Sequence, residues 1–435
     1  MSVNIPETAK KRIVIIGAGF GGLKLARNMV GSGYQIVLID KNNYHQFQPL
    51  FYQVASSGIE PSSILFPLRK IFQKRKDVYI RVAEVYSIDI EKKELQTSLD
   101  TVWYDYLVIA TGVNSNFFGN KNLEQHSIPM KSISEAMSLR NRILTNLEKA
   151  VTLFDEFEAE KKALLNIVVV GGGPTGVEIA GAIAEMKKFV LPKDYPDLNM
   201  DLMQVSLIEG SHALLASMSK HASEKSLFYL KRLGIKIRVN TRVIDYDGET
   251  LLLGDGEELK TKLVIWAAGI NGVVPTGIPA DAIGARQRII VDDFNRIKGF
   301  TDLFAIGDAA VITSEEYPNG HPQVAQVAIQ QGSNLARNFK LIKKNAPLKA
   351  FRYIDKGSMA TIGRNRAVAD LPFLKFSGFI AWLTWMFVHL MAIVGVKNRL
   401  VIFINWMWNY MTYDQSLRLI LWAARKKEEH THTKS

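Results

Sequence analysis

Near the start of the sequence, three closely spaced glycines follow one apolar run, and an acid follows the next. In order, the pattern consists of residues 13–16, Gly17, Gly19, Gly22, a helical segment at 23–30, residues 36–39 and Asp40. The first glycine allows a tight turn, the second admits a pyrophosphate close to the backbone, and the third lets the helix pack on the strand. The N-terminal N–H groups of a helix attract phosphate, and an acid at this spacing can accept from a ribose hydroxyl. The pattern predicts a strand, turn, helix and strand that bind a dinucleotide.

The same pattern returns 154 residues later. It consists of an apolar run at 167–170, Gly171, Gly173, Gly176, a helical segment at 177–189 and a second apolar run at 205–208 that ends in Glu209. Two complete copies are far more specific than one, because chance would have to supply strand, turn, helix and acid twice. The sequence therefore predicts two Rossmann-like dinucleotide-binding units in an α/β chain.

Further apolar runs end in small residues where a bound cofactor would lie. The run at 104–110 leads into Ala110, Thr111 and Gly112, the run at 263–268 repeats that position, and the run at 301–307 ends in Gly307 and Asp308. In a doubly wound sheet, such strand ends face the cofactor crevice. We place a discontinuous first domain at 1–125 and 290–348. A second domain spans 126–289, with a helical linker at 131–163.

Smaller features complete the two domains. The stretch at 41–52 has no helical period, and we interpret it as a loop in which His45 is a surface or hydrogen-bonded histidine. Short alternating runs at 78–82, 85–90 and 94–97 predict strands of a small meander.

Composition excludes several classes of chemistry. The chain has 435 residues, of which 47% are hydrophobic and 22% charged, which is globular composition, and it has no cysteine. Disulfides, thiolate metal sites and cysteine redox relays are therefore excluded, and we predict no metal site. The net charge is +12, and the segment 340–427 holds 15 Lys or Arg against three acids, leaving 39 basic and 39 acidic residues elsewhere. The basicity thus belongs to a C-terminal region.

That basic region is also apolar and rich in tryptophan. Residues 377–396 contain no formal charge, 397–399 interrupt the run, and 400–411 resume it; five of the seven tryptophans lie between Trp382 and Trp422. Twenty apolar residues are long enough to span a bilayer, whereas tryptophans with flanking cations are typical of its interface. A spanning helix, a helical hairpin in the plane of the membrane and a buried dimer interface all stay open on composition. The aromatic content favours anionic lipid over nucleic acid, which ranks last because no recognition motif is present. A C-terminal domain is placed at 349–435.

Together these residues resemble the type II NADH dehydrogenases, single-subunit flavoprotein NADH:quinone oxidoreductases. The resemblance covers roughly residues 10–425. The glycine turns and strand ends identify only the larger group of two-dinucleotide-domain flavoproteins, which includes glutathione reductase. More discriminating are the Ala-Gln-x-Ala-x-Gln-Gln run at 325–331 and the tryptophan-rich tail, and the stretch 171–178 matches the family's Gly-Gly-Gly-x-Thr-Gly-x-Glu.

The resemblance implies non-covalent FAD in the first domain and NADH in the second. FAD would lie at Gly17, Gly19, Gly22, Asp40, Ala110, Thr111, Gly112 and Asp308, and NADH at Gly171, Gly173, Gly176 and Glu209. Asp40 departs mildly from the glutamate usual in the larger group. An acid at the NADH ribose repels a 2′-phosphate, so NADPH is expected to be a poor donor.

Two further side chains gain roles from the resemblance, and a third gains one from its place beside the second glycine turn. Gln326 and Gln330, four residues apart and so on one helix face, match positions beside the flavin ring and the quinone head; ordinary helix packing is the alternative. Glu178 is a candidate for ordering nicotinamide and feeding protons; the alternative is a carboxylate favoured only by the helix dipole.

The implied reaction passes a hydride from NADH to the flavin and two electrons to a membrane quinone. A chain without cysteine has no sulfur relay, and no chain of buried acids for proton pumping is visible in the sequence. In the family the tail is monotopic, which favours an in-plane anchor. Since no transit peptide is seen, we expect this anchor at the cytoplasmic face of a bacterial inner membrane. We also expect a homodimer. A soluble reductase for a ferredoxin-like partner and a non-catalytic NADH-binding flavoprotein are the competing interpretations.

Overall fold

The computed structural model describes residues 3–412 and 417–421. Its helices are α1 (Phe20–Met29), α2 (Phe51–Ala55), α3 (Leu68–Ile71), α4 (Lys121–His126), α5 (Ile133–Thr152), α6 (Glu158–Leu165), α7 (Pro174–Phe189), α8 (Leu191–Asp194), α9 (Lys220–Arg232), α10 (Ala325–Ile342), α11 (Phe379–Ala392) and α12 (Val396–Thr412).

The strands follow the chain in the same way. They are β1 (Arg12–Ile16), β2 (Gln35–Asp40), β3 (Tyr44–Gln46), β4 (Leu65–Pro67), β5 (Val78–Val82), β6 (Val85–Asp89), β7 (Glu94–Thr97), β8 (Thr101–Trp103), β9 (Tyr106–Ile109), β10 (Val113–Ser115), β11 (Ile128–Pro129), β12 (Asn166–Val170), β13 (Gln204–Ile208), β14 (Lys236–Arg238), β15 (Val243–Tyr246), β16 (Thr250–Leu253), β17 (Glu258–Lys260), β18 (Leu263–Trp266), β19 (Ile270–Gly272), β20 (Ile289–Ile290), β21 (Leu303–Ala305), β22 (Ala310–Val311), β23 (Ser358–Thr361), β24 (Ala367–Leu371) and β25 (Leu374–Gly378).

Two five-stranded parallel sheets form the centre of the molecule. The first has the order β21-β9-β1-β2-β5 and the second the order β11-β18-β12-β13-β14. Apart from Arg12 at the start of β1, the buried residues of their central strands β1 and β12 are all apolar, as parallel strands covered on both faces require. Each sheet contains one glycine turn between a central strand and its helix. The predicted α/β fold with two Rossmann-like units is confirmed.

The two sheets are connected by more than the chain crossings. Strand β10 pairs antiparallel with β19, so that the segment after one sheet is hydrogen-bonded to the segment after the other. Strand β21 follows the second unit in sequence but pairs with β9 in the first sheet. Helix α10 then packs on α1 at a glycine contact, where a Cβ added to Gly332 would lie 2.5 Å from the carbonyl oxygen of Gly21.

Two local predictions need correction. The run at 78–82 is β5 of the first parallel sheet, and the meander is instead formed by β6, β7 and β8. The stretch at 41–52 is not all loop, because β3 pairs with β4 and α2 begins at Phe51. In both places the tertiary partner decides the structure, and local alternation does not reveal it.

The C-terminal unit is a three-stranded antiparallel sheet, β23-β24-β25, followed by α11 and α12. The apolar run at 377–396 is not one helix: Ser377 and Gly378 complete β25, and α11 ends after 14 residues at Ala392. Gly378 and Gly395 adopt φ of 89° and 86°, a region that glycine enters at little cost, and they bracket α11. Among the described residues, no helix is long and apolar enough to cross a bilayer. Trp422 lies outside the described residues.

Candidate active site

The first glycine turn is closed on one side and open on the other. Gly17 adopts φ +100°, and its N–H donates to the carbonyl of Ile39 at 2.7 Å. A Cβ on Gly22 would lie 1.9 Å from the Gly17 carbonyl oxygen, so only glycine allows α1 to approach β1 this closely. Around Gly19, by contrast, no atom lies within 4 Å of an added Cβ. The turn therefore leaves space at the N terminus of α1, where phosphate binds.

The second turn repeats this geometry. Gly171 adopts φ +111°, a Cβ on Gly176 would lie 1.8 Å from the Gly171 carbonyl oxygen, and the space around Gly173 is open. Both turns can therefore hold a pyrophosphate.

The acids that end β2 and follow β13 are held in matching ways. Asp40 accepts from the N–H of Ala18 at 2.6 Å and of Asn42 at 2.7 Å. Glu209 accepts from the N–H of Gly172 and, at 2.6 Å, of Ser211. In each unit the donors are the residue after the first glycine and the residue two beyond the acid. A carboxylate has about four acceptor positions, so each acid can still accept from a ribose hydroxyl.

The strand ends predicted from the sequence meet near the first turn. A Cβ on Gly17 would lie 2.3 Å from the carbonyl oxygen of Ala110, which places that strand end against the glycine turn. Thr111 donates from its hydroxyl to the carbonyl of Val273 at 2.5 Å, and Gly112 adopts φ +72°. These residues thus link the first unit to the second.

Asp308 lies in a half-buried position three residues after β21. Burial raises the pKa of its carboxyl, and the cations of Lys131 and Arg288 lower it. The neighbouring Gly307 donates its N–H to the buried side chain of Gln331 at 2.6 Å. Sequence reasoning singled out neither cation, because their proximity arises only from the fold; Gln331 was visible in the glutamine run but was not selected.

Gln326 and Gln330 lie on one face of α10, as predicted, and both bind the segment that leads to the C-terminal unit. Gln330 donates to the carbonyl of Ile354 at 2.9 Å and accepts from its N–H at 3.0 Å. Gln326 donates to the carbonyl of Gly357 at 3.1 Å and accepts from the N–H of Lys356 at 3.1 Å. Both amides therefore fix residues 354–357 onto α10.

Glu178 lies in the first turns of α7 and is buried against the C-terminal unit. Its carboxylate accepts from the backbone N–H of Thr361 at 3.4 Å. Burial raises the pKa of this carboxyl to about 8, and the Thr361 N–H and the Trp385 indole lower it. Desolvation dominates, because a charged carboxylate is disfavoured away from water. At neutral pH such a group holds a proton that it can give up.

A chain of hydrogen bonds leads from Tyr52 to the tail helices. Tyr52 is buried beside Glu178, and burial followed by the charge of Glu178 raises the pKa of its hydroxyl. Gln53 donates to the Tyr52 hydroxyl at 2.8 Å and accepts from the indole N–H of Trp406 at 2.7 Å. Neither Tyr52 nor Gln53 was selected from the sequence, since both stand in a stretch without a recognisable motif.

One histidine lies at the first glycine turn and another beside Trp385 of α11. His45 is buried and its Nδ1 lies 2.8 Å from the Ala18 carbonyl, which confirms the hydrogen-bonded interpretation. His389 stacks on Trp385 with ring centroids 4.0 Å apart, and burial lowers its pKa to about 4. Both imidazoles are neutral at physiological pH.

Two dinucleotide folds with open glycine turns define a pyridine-nucleotide oxidoreductase. A family model described as pyridine nucleotide-disulphide oxidoreductase matches residues 11–332, and one described as the NDH2 C-terminal domain matches residues 356–413. These two matches cover both nucleotide units and the tail.

Similarity to individual proteins identifies the family within this class of oxidoreductases. The chain is 35% identical to type II NADH:quinone oxidoreductase NdhA of Mycobacterium tuberculosis, over 92% of this chain and 87% of that protein. It is 33% identical to Ndh of the same organism, over 91% and 87%. A solved structure of NDH2 from Plasmodium falciparum in complex with NADH matches with a TM-score of 0.85 at 23% identity, covering 94% of this chain and 99% of that one, and shows the shared fold. The chain belongs to the type II NADH:quinone oxidoreductase family and is an enzyme of that type.

Proposed function

We propose that this enzyme oxidises NADH through non-covalently bound FAD and reduces a membrane quinone to quinol without pumping protons. The observation that supports this most directly is the position of Glu178. This residue lies in α7, the helix that follows the second glycine turn, and it is buried against the C-terminal sheet. A nucleotide-binding element and the tail unit thus share one buried, titratable carboxyl.

The first unit fits FAD. The open space at Gly19, the close packing at Gly22 and the free acceptor capacity of Asp40 suit a pyrophosphate followed by an adenosine ribose. Asp308, at the end of a neighbouring strand, is placed to bind the ribityl chain. When bound, FAD supplies the chemistry that takes a hydride and releases two electrons. The chain's part is to hold the cofactor, here with residues 1–125 and 290–348.

The second unit, residues 126–289, fits NADH. Gly171, Gly173 and Gly176 would hold its pyrophosphate, and Glu209 would accept from the adenosine ribose. Because the Glu209 carboxylate is fixed by two backbone N–H groups, it has little freedom to turn away from a 2′-phosphate. NADH is therefore the proposed donor, and NADPH a poor one.

The quinone is proposed to bind where α10 meets the tail. Gln326 and Gln330 would lie along its approach and fix the connecting segment 354–357. An amide can donate a hydrogen bond to a quinone oxygen but cannot supply a proton at neutral pH. Glu178 is the residue proposed to supply one.

The tail is proposed to lie in the membrane interface on an anionic lipid surface. Helices α11 and α12 expose many large apolar side chains, among them Phe387, Met391, Phe403 and Ile404. Lys397 and Arg399 stand at the start of α12, where cations meet lipid head groups. Amphipathic helices with cations beside their apolar face bind in the plane of the interface. The homodimer stays a prediction.

The decisive experiment is anaerobic stopped-flow absorbance of the purified protein at the flavin band. Mixing with NADH is expected to bleach the band, and subsequent mixing with a short-chain quinone is expected to restore it within the catalytic turnover time. Bleaching without recovery would overturn quinone as the acceptor while keeping the two nucleotide units. The same turnover in sealed vesicles with a pH-sensitive dye is expected to show no proton translocation.

A further inference from the structure

Glu185 lies where two cavities meet. The larger, about 130 Å³, lies among α2, α7, β23 and the tail helices, and the smaller, about 110 Å³, is lined by Lys188, Arg366 and their neighbours. Glu185, Phe189 and Arg364 line both cavities. Lys188 is exposed, so the smaller cavity reaches solvent.

We propose that Glu185 takes a proton from solvent and passes it through the larger cavity to Glu178, which supplies it to the quinone. This inference rests on the proposed function. It assigns a role to a second carboxyl, one that reaches the reacting atoms only through other groups.

The requirement follows from the balance of the reaction. Oxidation of NADH to NAD⁺ releases a hydride, which contains both electrons and one of the two hydrogens found in the quinol. The second hydrogen is a proton that comes from water. In the proposed sequence Glu178 loses its proton to a quinone oxygen, Glu185 restores it to Glu178, and solvent restores it to Glu185.

One helix positions both carboxyls. Glu178 and Glu185 are seven residues apart on α7, two turns along the same face, so their backbones are separated by about 10 Å. Glu178 accepts from the backbone N–H of Thr361, and Glu185 from that of Arg364. The last residue of β23 and the turn that follows it therefore fix the two groups.

Gly363 makes the outer contact possible. It adopts φ +73°, and a Cβ there would lie 2.5 Å from Oε1 of Glu185. A side chain at this position would push the carboxyl away from the Arg364 N–H. The Arg364 guanidinium is directed elsewhere, to the carbonyl of Asn409 and the ring of Tyr410.

The larger cavity has the volume and the polar partners to conduct a proton. A cavity of this size holds several waters, each of which needs two to four polar partners. Tyr52, Gln53 and Ser56 provide them, and Thr361, the donor to Glu178, lines the same cavity. Since the Tyr52 hydroxyl accepts from Gln53, its own hydrogen is available to the cavity.

Charged and titratable groups face this path from every packed element. Besides Glu185, the groups that line the cavities are Lys188 on α7, Tyr52 on α2, Arg364 and Arg366 between β23 and β24, and Tyr410 on α12. Glu178 adjoins the larger cavity through the N–H of the lining Thr361, and His389 through its stacking on the lining Trp385. Burial raises the pKa of the Glu185 carboxyl, whereas the Arg364 N–H and the two guanidinium groups lower it. Both carboxyls on α7 thus keep a proton to higher pH than exposed glutamates do.

The test compares Glu185→Gln with the wild-type holoenzyme in two half-reactions. Flavin reduction by NADH is expected to stay at the wild-type rate, and reoxidation by a short-chain quinone is expected to slow about tenfold or more. Formate, a small weak acid that fits the cavity, is expected to restore part of the rate in Glu185→Gln and to leave wild type unaffected.

Glu185→Asp keeps a titratable group and is expected to retain intermediate activity with an enlarged solvent isotope effect. The exposed Glu224→Gln on α9 is the matched control, expected at wild-type rates in both half-reactions.

The outcomes separate two failures. If wild type is not reoxidised by quinone, the proposed function is wrong. If wild type is reoxidised and Glu185→Gln matches it, the relay is wrong and the function stands. A slowed Glu185→Gln that formate does not rescue, with an unchanged isotope effect in Glu185→Asp, indicates a purely structural side chain and also overturns the relay. Should Glu185→Gln not fold, Glu185→Asp with the isotope measurement decides.

Discussion

Glu178 on α7 accepts a hydrogen bond from the backbone N–H of Thr361 in β23, with 3.4 Å between oxygen and nitrogen. This contact joins the helix that would bind the pyrophosphate of NADH to the sheet that supports the tail. The residue is 9% exposed, so the charge state of its carboxyl is coupled to stability.

The first prediction concerns that coupling. Because the pKa of Glu178 rises from 4.5 to about 8 on folding, the folded protein holds more protons than the unfolded chain between these pH values. The free energy of unfolding should therefore fall as pH rises through this window, by on the order of 4 kcal/mol from this group. Glu178→Gln should melt a few degrees above wild type at the alkaline end and close to it at the acidic end. Thermal denaturation across the window measures this, and parallel curves for both proteins would refute it.

The second prediction separates the two glycine turns. Gly22→Ala introduces a Cβ against the Gly17 carbonyl, and Gly176→Ala one against Gly171. Gly22→Ala should purify with little flavin. Gly176→Ala should keep its flavin but need at least about tenfold more NADH for reduction, because only the second turn is distorted. The flavin-to-protein absorbance ratio and NADH titration measure the two effects, and loss of flavin from Gly176→Ala would contradict the assignment of the units.

The third prediction concerns donor choice. Removing the carboxylate in Glu209→Ala should raise kcat/KM for NADPH relative to NADH by about ten- to a hundredfold, since a repulsive group at the 2′-phosphate is lost. Steady-state kinetics with both donors measures the ratio. Glu258→Gln, an exposed acid of the same unit, is the control and should keep the wild-type preference. A wild-type enzyme that prefers NADPH would remove Glu209 from the ribose.

The fourth prediction concerns the glutamine face of α10. Gln326→Leu loses the bonds to Gly357 and Lys356 and should raise the apparent KM for quinone about tenfold. Flavin reduction by NADH should be unaffected. Ser333→Ala on the same helix, whose hydroxyl donates to the carbonyl of Ile329 one turn earlier, is the control. An unchanged quinone KM in Gln326→Leu would take Gln326 out of the site.

The fifth prediction concerns the tail. The double variant Phe387→Asp with Ile404→Asp places charges on side chains that are 65% and 61% exposed. Affinity for vesicles containing anionic phospholipid should fall at least about tenfold, because each apolar side chain contributes on the order of 1.5–3 kcal/mol when buried. Phe154→Asp is the control, since Phe154 is also exposed but lies outside the tail, in the connection between α5 and α6. Co-flotation with vesicles measures binding, and equal flotation of both variants would contradict an in-plane anchor.

The parallel sheets could be predicted from the sequence because their signals are local. An apolar run, a glycine turn and a terminal acid are contiguous at 13–40 and 167–209, and the fold places them as the pattern indicates. The return of β21 to the first sheet was also visible, since its end resembles the other strand ends.

Other features depend on partners distant in sequence. The strand at 78–82 alternates like a meander strand, yet it completes a parallel sheet beside β2. The apolar run at 377–396 has no internal sign that its first two residues pair with β24. Tyr52, Lys131 and Glu185 gain their importance from what the fold brings against them, and none belongs to a motif.

The contact between Gly332 and Gly21 sets a limit on variation. Helix α1 begins at the first glycine turn, and α10 holds the glutamines that fix residues 354–357, so this contact sets the spacing between the glycine turn and the segment that leads to the C-terminal unit. In a comprehensive substitution scan, position 332 should tolerate as few residues as position 22, although it lies in the middle of a helix. A helix position where alanine is ordinarily the best choice would here admit only the residue with no side chain.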